Sequence, residues 1–451
     1  MLRTPRLLPV IAALSAAVAL NVSVSSTVTL REDESRRGLV RLDGRALRDD
    51  GGVLNPLGAT LFWLAWGYKF DRPRLEANLA ALADAGVDYV RALGDVGPGS
   101  GWADREVNPG WPDYADVIAG ATDLAYDRFG LRVQWTIFGG TEHLRTAEAR
   151  AALVDRMAAI ARPRPHKIIA IEIANEGWKN GFEGASGVAE LRALGQRLAG
   201  ATDVLVAPSA PPGGDRALCD LYGGSSADVM TVHYARDRAG PGGGWGPVAR
   251  PAAPAPSCVR PLPAAVVNNE PVGPGSSNAE ERDPLRLALA YVTTFAAGNA
   301  AYVLHAAPGV RGGGEGDRAL GRAANFRDVP EFDAIGRAMT SAKRYTPAGL
   351  ANWKPMAGGS AAPLAGVDDA VKRGDLVAGV FATEGQQLFG VLLGLRRDVP
   401  LRATAPLAIE LIDPVTGAVL MRATVGAGHT IDVRPRPRDG GDGLVLRATR
   451  Q

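Results

Sequence analysis

From residue 57 to about residue 310, short apolar runs alternate with stretches whose apolar residues recur every three or four positions. The first pattern spells strands and the second amphipathic helices. The runs are GATLFWL (58–64), DYVRAL (88–93), LRVQWTIF (131–138), KIIAIEIAN (167–175), DVLVAP (203–208), DVMTVHY (228–234), AAVVNNE (264–270) and AYVLHA (301–306). Helical patterns such as RPRLEANLAALADAG (72–86), AEARAALVDRMAAIA (147–161) and GVAELRALGQRLAG (187–200) lie between them. Eight strands, mostly with helices between, predict an α/β protein built on a (β/α)8 TIM barrel. An open doubly wound sheet is the alternative. Against it, no glycine-rich phosphate loop follows the first strand, and the GGG of 312–314 comes after the last one.

The rhythm differs on either side. GLVRLDGRALRDDGGVLNPLG alternates apolar and polar residues around Asp-Gly turns, a small β-hairpin within residues 27–56. The barrel pattern spans 57–345, and TPAGLANWKPMAGGSAAPLAG reads as a linker over 346–365. DLVAGVFA, QLFGVLLGL, LAIELIDP, AVLMRATV, HTIDVRP and GLVLRAT then predict a C-terminal antiparallel β-sandwich over 366–451. It has few exposed-looking aromatics and reads as a stabilising appendage. At the start, basic MLRTPR precedes the 16 apolar residues of LLPVIAALSAAVALNV and the polar SVSST. That layout predicts a signal peptide over 1–26, a secreted or periplasmic product, and no stable membrane insertion after cleavage. An uncleaved anchor is the alternative, because no clean A-x-A site follows.

Composition narrows the partners. A net charge of +2 without blocks of like charge gives no footprint for nucleic acid. Two cysteines, Cys219 and Cys258, either form one disulfide or stay free thiols. A bridge closing a loop of about 40 residues would add roughly 4 kcal/mol in the chain-entropy picture. The five histidines are scattered without metal-ligand spacing, so neither a metal nor a cofactor is expected. A monomer acting on a carbohydrate substrate is the expected state.

In such barrels chemistry sits at the C-terminal strand ends. Read that way, the first strand offers Trp63 and Trp66, the second Arg91 and the fourth Asn175, Glu176 and Trp178. The sixth gives His233 and Tyr234, the seventh Glu270 and the eighth His305. Glu176 and Glu270 therefore face one another across the barrel. Two carboxylates beside tryptophans are what glycoside hydrolysis requires: one protonates the leaving oxygen, the other attacks the anomeric carbon or activates water. Asn175 can hold a sugar hydroxyl. Trp102 and Trp111, in the long loop after the second strand, either wall a groove or pack on that loop. Asp95 and Glu142 read as solvated loop acids. Glu172, about 13 Å deeper than Glu176 by strand rise, reads as a buried structural acid needing a cation or donors.

An Asn-Glu pair ending the fourth strand, with a Glu ending the seventh, resembles glycoside hydrolase clan A, which includes bacterial cellulases and mannanases. The resemblance spans roughly residues 55–340. IEIANEGW is similar to the clan's acid/base segment, VVNNEP to its nucleophile segment, YVRAL to its second strand and TVHY to its sixth. It implies a retaining two-glutamate mechanism on a β-linked oligo- or polysaccharide. Glu176 would be acid/base with its pKa kept high, Glu270 the nucleophile, and Arg91 its steadying cation. Two departures bear on the substrate. Ala235 stands where clan members often carry a tyrosine, and His305 stands where many carry a tryptophan. A carbohydrate-binding protein without turnover is the alternative; a metal-dependent barrel hydrolase is disfavoured by the lack of a His cluster.

Overall fold

The computed structural model describes residues 38–451 except 99–102, 237, 239, 241, 254–256, 275–279, 314–322 and 357–362. The expected signal segment, the start of the 27–56 segment, Trp102 and part of the expected linker lie outside the described residues.

The chain opens with β1 (Arg41–Asp43), β2 (Ala46–Asp49) and β3 (Gly52–Leu54), an antiparallel sheet of three strands rather than the hairpin expected. Asp43↔Ala46 and Asp49↔Gly52 pair across the two tight turns. Val40 and Leu47 of this segment cluster with Tyr89, Ile169, Leu205, Val229 and Ala265, which lie at or near the starts of barrel strands. The small sheet thus covers the end of the barrel opposite its chemistry.

The barrel strands are β4 (Leu57–Thr60), β5 (Tyr89–Asp95), β6 (Arg132–Phe138), β7 (Ile168–Ala174), β8 (Val206–Ser209), β9 (Val229–Val232), β10 (Ala265–Asn268) and β11 (Ala301–Leu304). They run parallel in the order β8-β7-β6-β5-β4-β11-β10-β9. The remaining seam closes through Asp228, whose N–H donates to Val206 O at 2.9 Å and whose side chain accepts from Val206 N at 3.0 Å. The expected (β/α)8 barrel is therefore present. Helices follow most strands: Arg72–Asp84, Tyr114–Asp123, Ala147–Ala161, Gly184–Ala199, Asp215–Tyr222, Pro284–Ala296 and Phe332–Tyr345. Thr146 caps the third by accepting from Ala149 N, and Asp283 caps Pro284–Ala296 with proline in its first turn. Among its described residues, the connection from β9 to β10 carries only short helical turns.

Four differences from expectation have simple causes. The first strand ends at Thr60, and its apolar continuation Leu61–Leu64 turns into the helix Leu64–Phe70. Periodicity cannot separate those residues, since all of them are buried. The stretch expected as a linker is partly structured. β12 (Lys354–Met356) adds to the C-terminal sheet, and Asn352 caps the β1–β2 turn by accepting from Arg45 N and Ala46 N. Third, Asp95 is not a solvated loop acid but the fully buried last residue of β5. Fourth, Trp63 is 1% exposed and donates its Nε1–H to Pro308 O, so it packs beneath the barrel mouth rather than lining it.

The C-terminal strands are β13 (Leu364–Ala365), β14 (Ala378–Glu384), β15 (Gln387–Leu395), β16 (Val399–Ala403), β17 (Leu407–Ile412), β18 (Val419–Val425), β19 (Thr430–Val433) and β20 (Asp442–Arg450). They form a six-stranded sheet, β12-β14-β15-β20-β17-β18, and a three-stranded one, β13-β16-β19. Leu364, Leu392, Leu401, Val433 and Leu446 fill the space between them. Phe389, Val391, Leu393 and Val445 instead belong to the barrel's own core cluster. Alternation along β15 and β20 therefore serves two cores at once. Cys219 and Cys258 are disulfide-bonded, with Cα atoms 5.5 Å apart.

Candidate active site

Strand register brings the polar interior together. Thr60 pairs with Arg91, Arg91 with Gln134, and Thr136 with Glu172. Glu172 is fully buried and satisfied by four donors: Arg91 Nη2 at 2.9 Å, Thr136 Oγ1 at 2.8 Å, Thr231 Oγ1 at 2.6 Å and Asn269 Nδ2 at 3.1 Å. It is the structural acid the sequence suggests, and it orients Arg91. The same guanidinium donates to Glu270 Oε1 at 3.0 Å and to Asn175 Oδ1 at 2.8 Å.

Glu176 follows β7 in a left-handed conformation, φ 43°, and is the only non-glycine with positive φ among the described residues. Such a backbone costs on the order of 1–3 kcal/mol and persists when neighbours enforce it. Here Gly177 N donates to Ser209 Oγ, Asn180 Nδ2 to Asn175 O, and Lys179 N to Glu176 O. Across the mouth, Gly273 lets the chain leaving β10 lie against His305, where a Cβ would sit 2.1 Å from its carbonyl oxygen.

One oxygen each of Glu176 and Glu270 and a ring nitrogen of His233 all lie within 4.8 Å of one another. His233 Nδ1 is 3.3 Å from Glu176 and 3.7 Å from Glu270. Neither ring nitrogen has hydrogen-bond alignment, so His233 lies close to both carboxylates without a formed hydrogen bond. Arg236 Nη2 is 3.7 Å and His305 Nε2 4.0 Å from Glu270 Oε2. Lys179, one turn beyond Glu176, contacts its other oxygen. Glu176, His233 and Glu270 form a conceivable metal-ligand set, but Lys179, Arg91 and Arg236 already face those oxygens and oppose a bound cation.

Burial alone would raise Glu270, but the cations beside it, Arg91 and Arg236 among them, outweigh it and hold this carboxyl well below the usual range. His305 is pushed down to about 3 by burial despite Glu270, so it is a neutral imidazole sharing a hydrogen bond with Thr60 Oγ1 at 2.8 Å. Glu176 departs from the sequence expectation. Burial and Glu270 pull it up, yet His233 and Lys179 leave it below its ordinary value. The larger lowering cause is His233, and Lys179, whose contact the strand-end reading did not include, adds to it.

Of the other candidates, Tyr234 turns its hydroxyl to Asn299 Oδ1 at 3.1 Å and makes no contact with the two glutamates. Trp178 stands 41% exposed at the rim with Lys179 Nζ 5.2 Å from its ring. Trp66 is partly buried under the Arg105 guanidinium, 4.0 Å above its ring, and forms a row with Phe70 and Trp111. Asp95 bonds His143 Nδ1 at 2.7 Å, and His143 Nε2 bonds Glu106 at 2.8 Å. Burial pushes Asp95 up to about 6, against the pull of His143. Sequence reasoning missed Arg236 and Lys179; each lies three residues past a named candidate, a spacing that a reading of only the last strand residues skips.

Two solved structures resemble this one over nearly their whole length. A glycoside hydrolase superposes with a TM-score of 0.63 at 15% identity, covering 92% of this chain and 97% of that one. A family 5 glycoside hydrolase from Bacteroides vulgatus ATCC 8482 gives 0.62 at 14% identity, covering 92% and 94%. The barrel with its β-sandwich is a fold these enzymes share. No protein-family model matches the chain, and no curated protein matches it.

Proposed function

We propose that this chain is an exported retaining glycoside hydrolase acting on a β-linked oligo- or polysaccharide. The observation that carries the reading is the approach of Glu176 and Glu270 to within 4.8 Å, with His233 between them. Retaining enzymes hold their carboxyl groups about 5–5.5 Å apart, and inverting ones about 6.5–9.5 Å. Glu270, ionised and fixed through Oε1 by Arg91, attacks the anomeric carbon and forms a glycosyl-enzyme. Glu176 protonates the leaving oxygen and then deprotonates the incoming water. Asn175, anchored on Arg91 through its oxygen, leaves its amide N–H groups for a sugar hydroxyl. The half-exposed Lys179 must leave Glu176 for the acid step, and a leaving group entering the cleft displaces it. The resemblance at the Asn-Glu and Asn-Asn-Glu segments and the shared fold both support this assignment.

An ionised Glu176 beside Lys179 is also what a carbohydrate-binding barrel without turnover would show. Panels of aryl β-glycosides, β-glucans and mannans separate the two readings. Glu270→Gln should abolish turnover on all substrates. Glu176→Gln should lose about 10²–10⁴-fold on poor leaving groups and much less on nitrophenyl glycosides, which need no acid. The first-formed sugar should keep its anomeric configuration by proton NMR. Equal residual rates in wild type and both variants would remove catalysis from this site.

A further inference from the structure

Beyond helping to keep Glu270 ionised, Arg236 takes no part in the mechanism above, yet its side chain is only 9% exposed and lies beside the attacking carboxylate. Its Nη1 is buried without a hydrogen-bond partner, and Glu270 is its one ion-pair partner among the described residues. Glu270 Oε1 is held by Arg91, so Oε2, the oxygen facing Arg236, His233 and His305, is the one left to bond carbon.

When that bond forms, Glu270 loses its negative charge. Arg91 keeps Glu172 as a counter-charge. Arg236 keeps none among the described residues, while positive charge is building on the sugar in an oxocarbenium-like transition state. A buried, uncompensated guanidinium next to that centre opposes the reaction of a neutral sugar. A sugar carrying its own anion removes the conflict. A guanidinium offers two parallel donors that match a carboxylate. From 3.7 Å off Oε2, Nη2 is within reach of groups carried next to the anomeric centre.

We propose that Arg236 receives a carboxylate of the sugar at the cleavage position, making the substrate class a β-linked glycoside of a uronic acid; this rests on the glycosidase reading. The rim suits such a chain. There Trp178 is paired with Lys179 at 5.2 Å. Aromatics stack on sugar rings while cations meet acidic substituents.

The test uses the full chain and matched nitrophenyl glycosides of glucose, galactose and mannose and of their uronic acids. Wild type should prefer one uronide over its neutral parent by about 100-fold in kcat/KM, as sites built around a polar partner do. Arg236→Gln should collapse that ratio by slowing the uronide and speeding the neutral sugar. Arg236→Lys, which keeps charge without the fork, should restore part of it. Equal losses on both sugars would make Arg236 a mere support for Glu270 and overturn the proposal. Calorimetric binding of free glucuronate, galacturonate and mannuronate, with the parent sugars and glucose 6-sulfate as controls, reads the site without turnover. Tighter binding of a uronate, lost in Arg236→Gln, supports the carboxylate site even if no glycoside is cleaved, in which case only the hydrolase reading falls. Preference for the sulfate, or none at all, overturns the proposal while leaving the hydrolase reading standing.

Discussion

Replacing Arg91 by methionine removes one guanidinium that serves two buried carboxylates and an amide. The deleted contacts are three short hydrogen bonds, to Glu270, Glu172 and Asn175, at 3.0, 2.9 and 2.8 Å. Breaking a buried ion pair by removing one partner costs about 3–5 kcal/mol, because the remaining charge is left uncompensated. Glu172 retains three neutral donors, and Glu270 retains Arg236 and His233 nearby, so the total should stay within that range rather than double it. Against a usual stability of about 5–15 kcal/mol, that is a large share. The pH dependence follows from Glu270. Its folded pKa is depressed, so the stability it contributes is present above the unfolded value, about 4.3, and is lost as pH falls toward the folded one. Arg91→Met weakens the depression, so the gap to wild type should be widest near neutrality and narrow below about pH 4.3. Urea midpoints followed by circular dichroism, with the slope checked for constancy, measure this. Adding Glu172→Gln to Arg91→Met removes one stranded charge and should recover stability. A gap under about 1 kcal/mol at neutral pH, or one that widens on acidification, would refute the account.

Further outcomes follow from the same contacts. Lys179→Met removes a cation from Glu176 and raises the pKa of the proposed acid, so the fall in activity at high pH should move upward; a pH–kcat/KM profile whose alkaline limb stays put would contradict it. Cys219→Ser with Cys258→Ser opens a loop spanning a separation of 39 residues and should cost about 4 kcal/mol, read as a lower unfolding midpoint that reductant reproduces in wild type. In the Asp95–His143–Glu106 cluster both Asp95 and His143 have folded pKa values raised above their unfolded ones. That contribution is present at low pH and is lost as pH rises through the folded values, so the stability gap between wild type and the Asp95→Asn, His143→Gln double variant should shrink as pH rises through about 6. A gap that grows instead would show that the cluster favours its deprotonated form.

The strand count and order were legible because barrel strands are buried on both faces and read as continuous apolar runs. Glu172 was legible for the opposite reason: an acid inside such a run has to find donors, and it found four. Boundaries were harder where everything is buried, as at Leu61–Leu64, and where polar, proline-rich sequence still adds a strand, as at β12. At the site, Asn175, Glu176, His233, Glu270, Arg91 and His305 meet as the strand ends suggest. Tyr234 does not, because alternation decides which of two adjacent residues enters the barrel, and His233 took the inward position. Asp95 misled because its partner, His143, comes from the loop beyond β6, a contact that only the assembled barrel makes.

The two acids of IEIANEGW divide the electrostatic work of the site. Glu172 does not touch the cleft, yet it decides what Arg91 can be. Because Glu172 keeps Arg91 compensated, Arg91 would hold Glu270 through the proposed cycle without resisting the loss of its charge. Arg236 has no such second carboxylate among the described residues. A guanidinium placed like Arg91 but lacking a Glu172 of its own is a cation waiting for an acid, and of the water and sugar that the proposed cycle admits, only the sugar can carry one. The different partners of these two arginines are thus a sharper guide to specificity than the pair of glutamates, since most retaining glycosidases carry such a carboxylate pair.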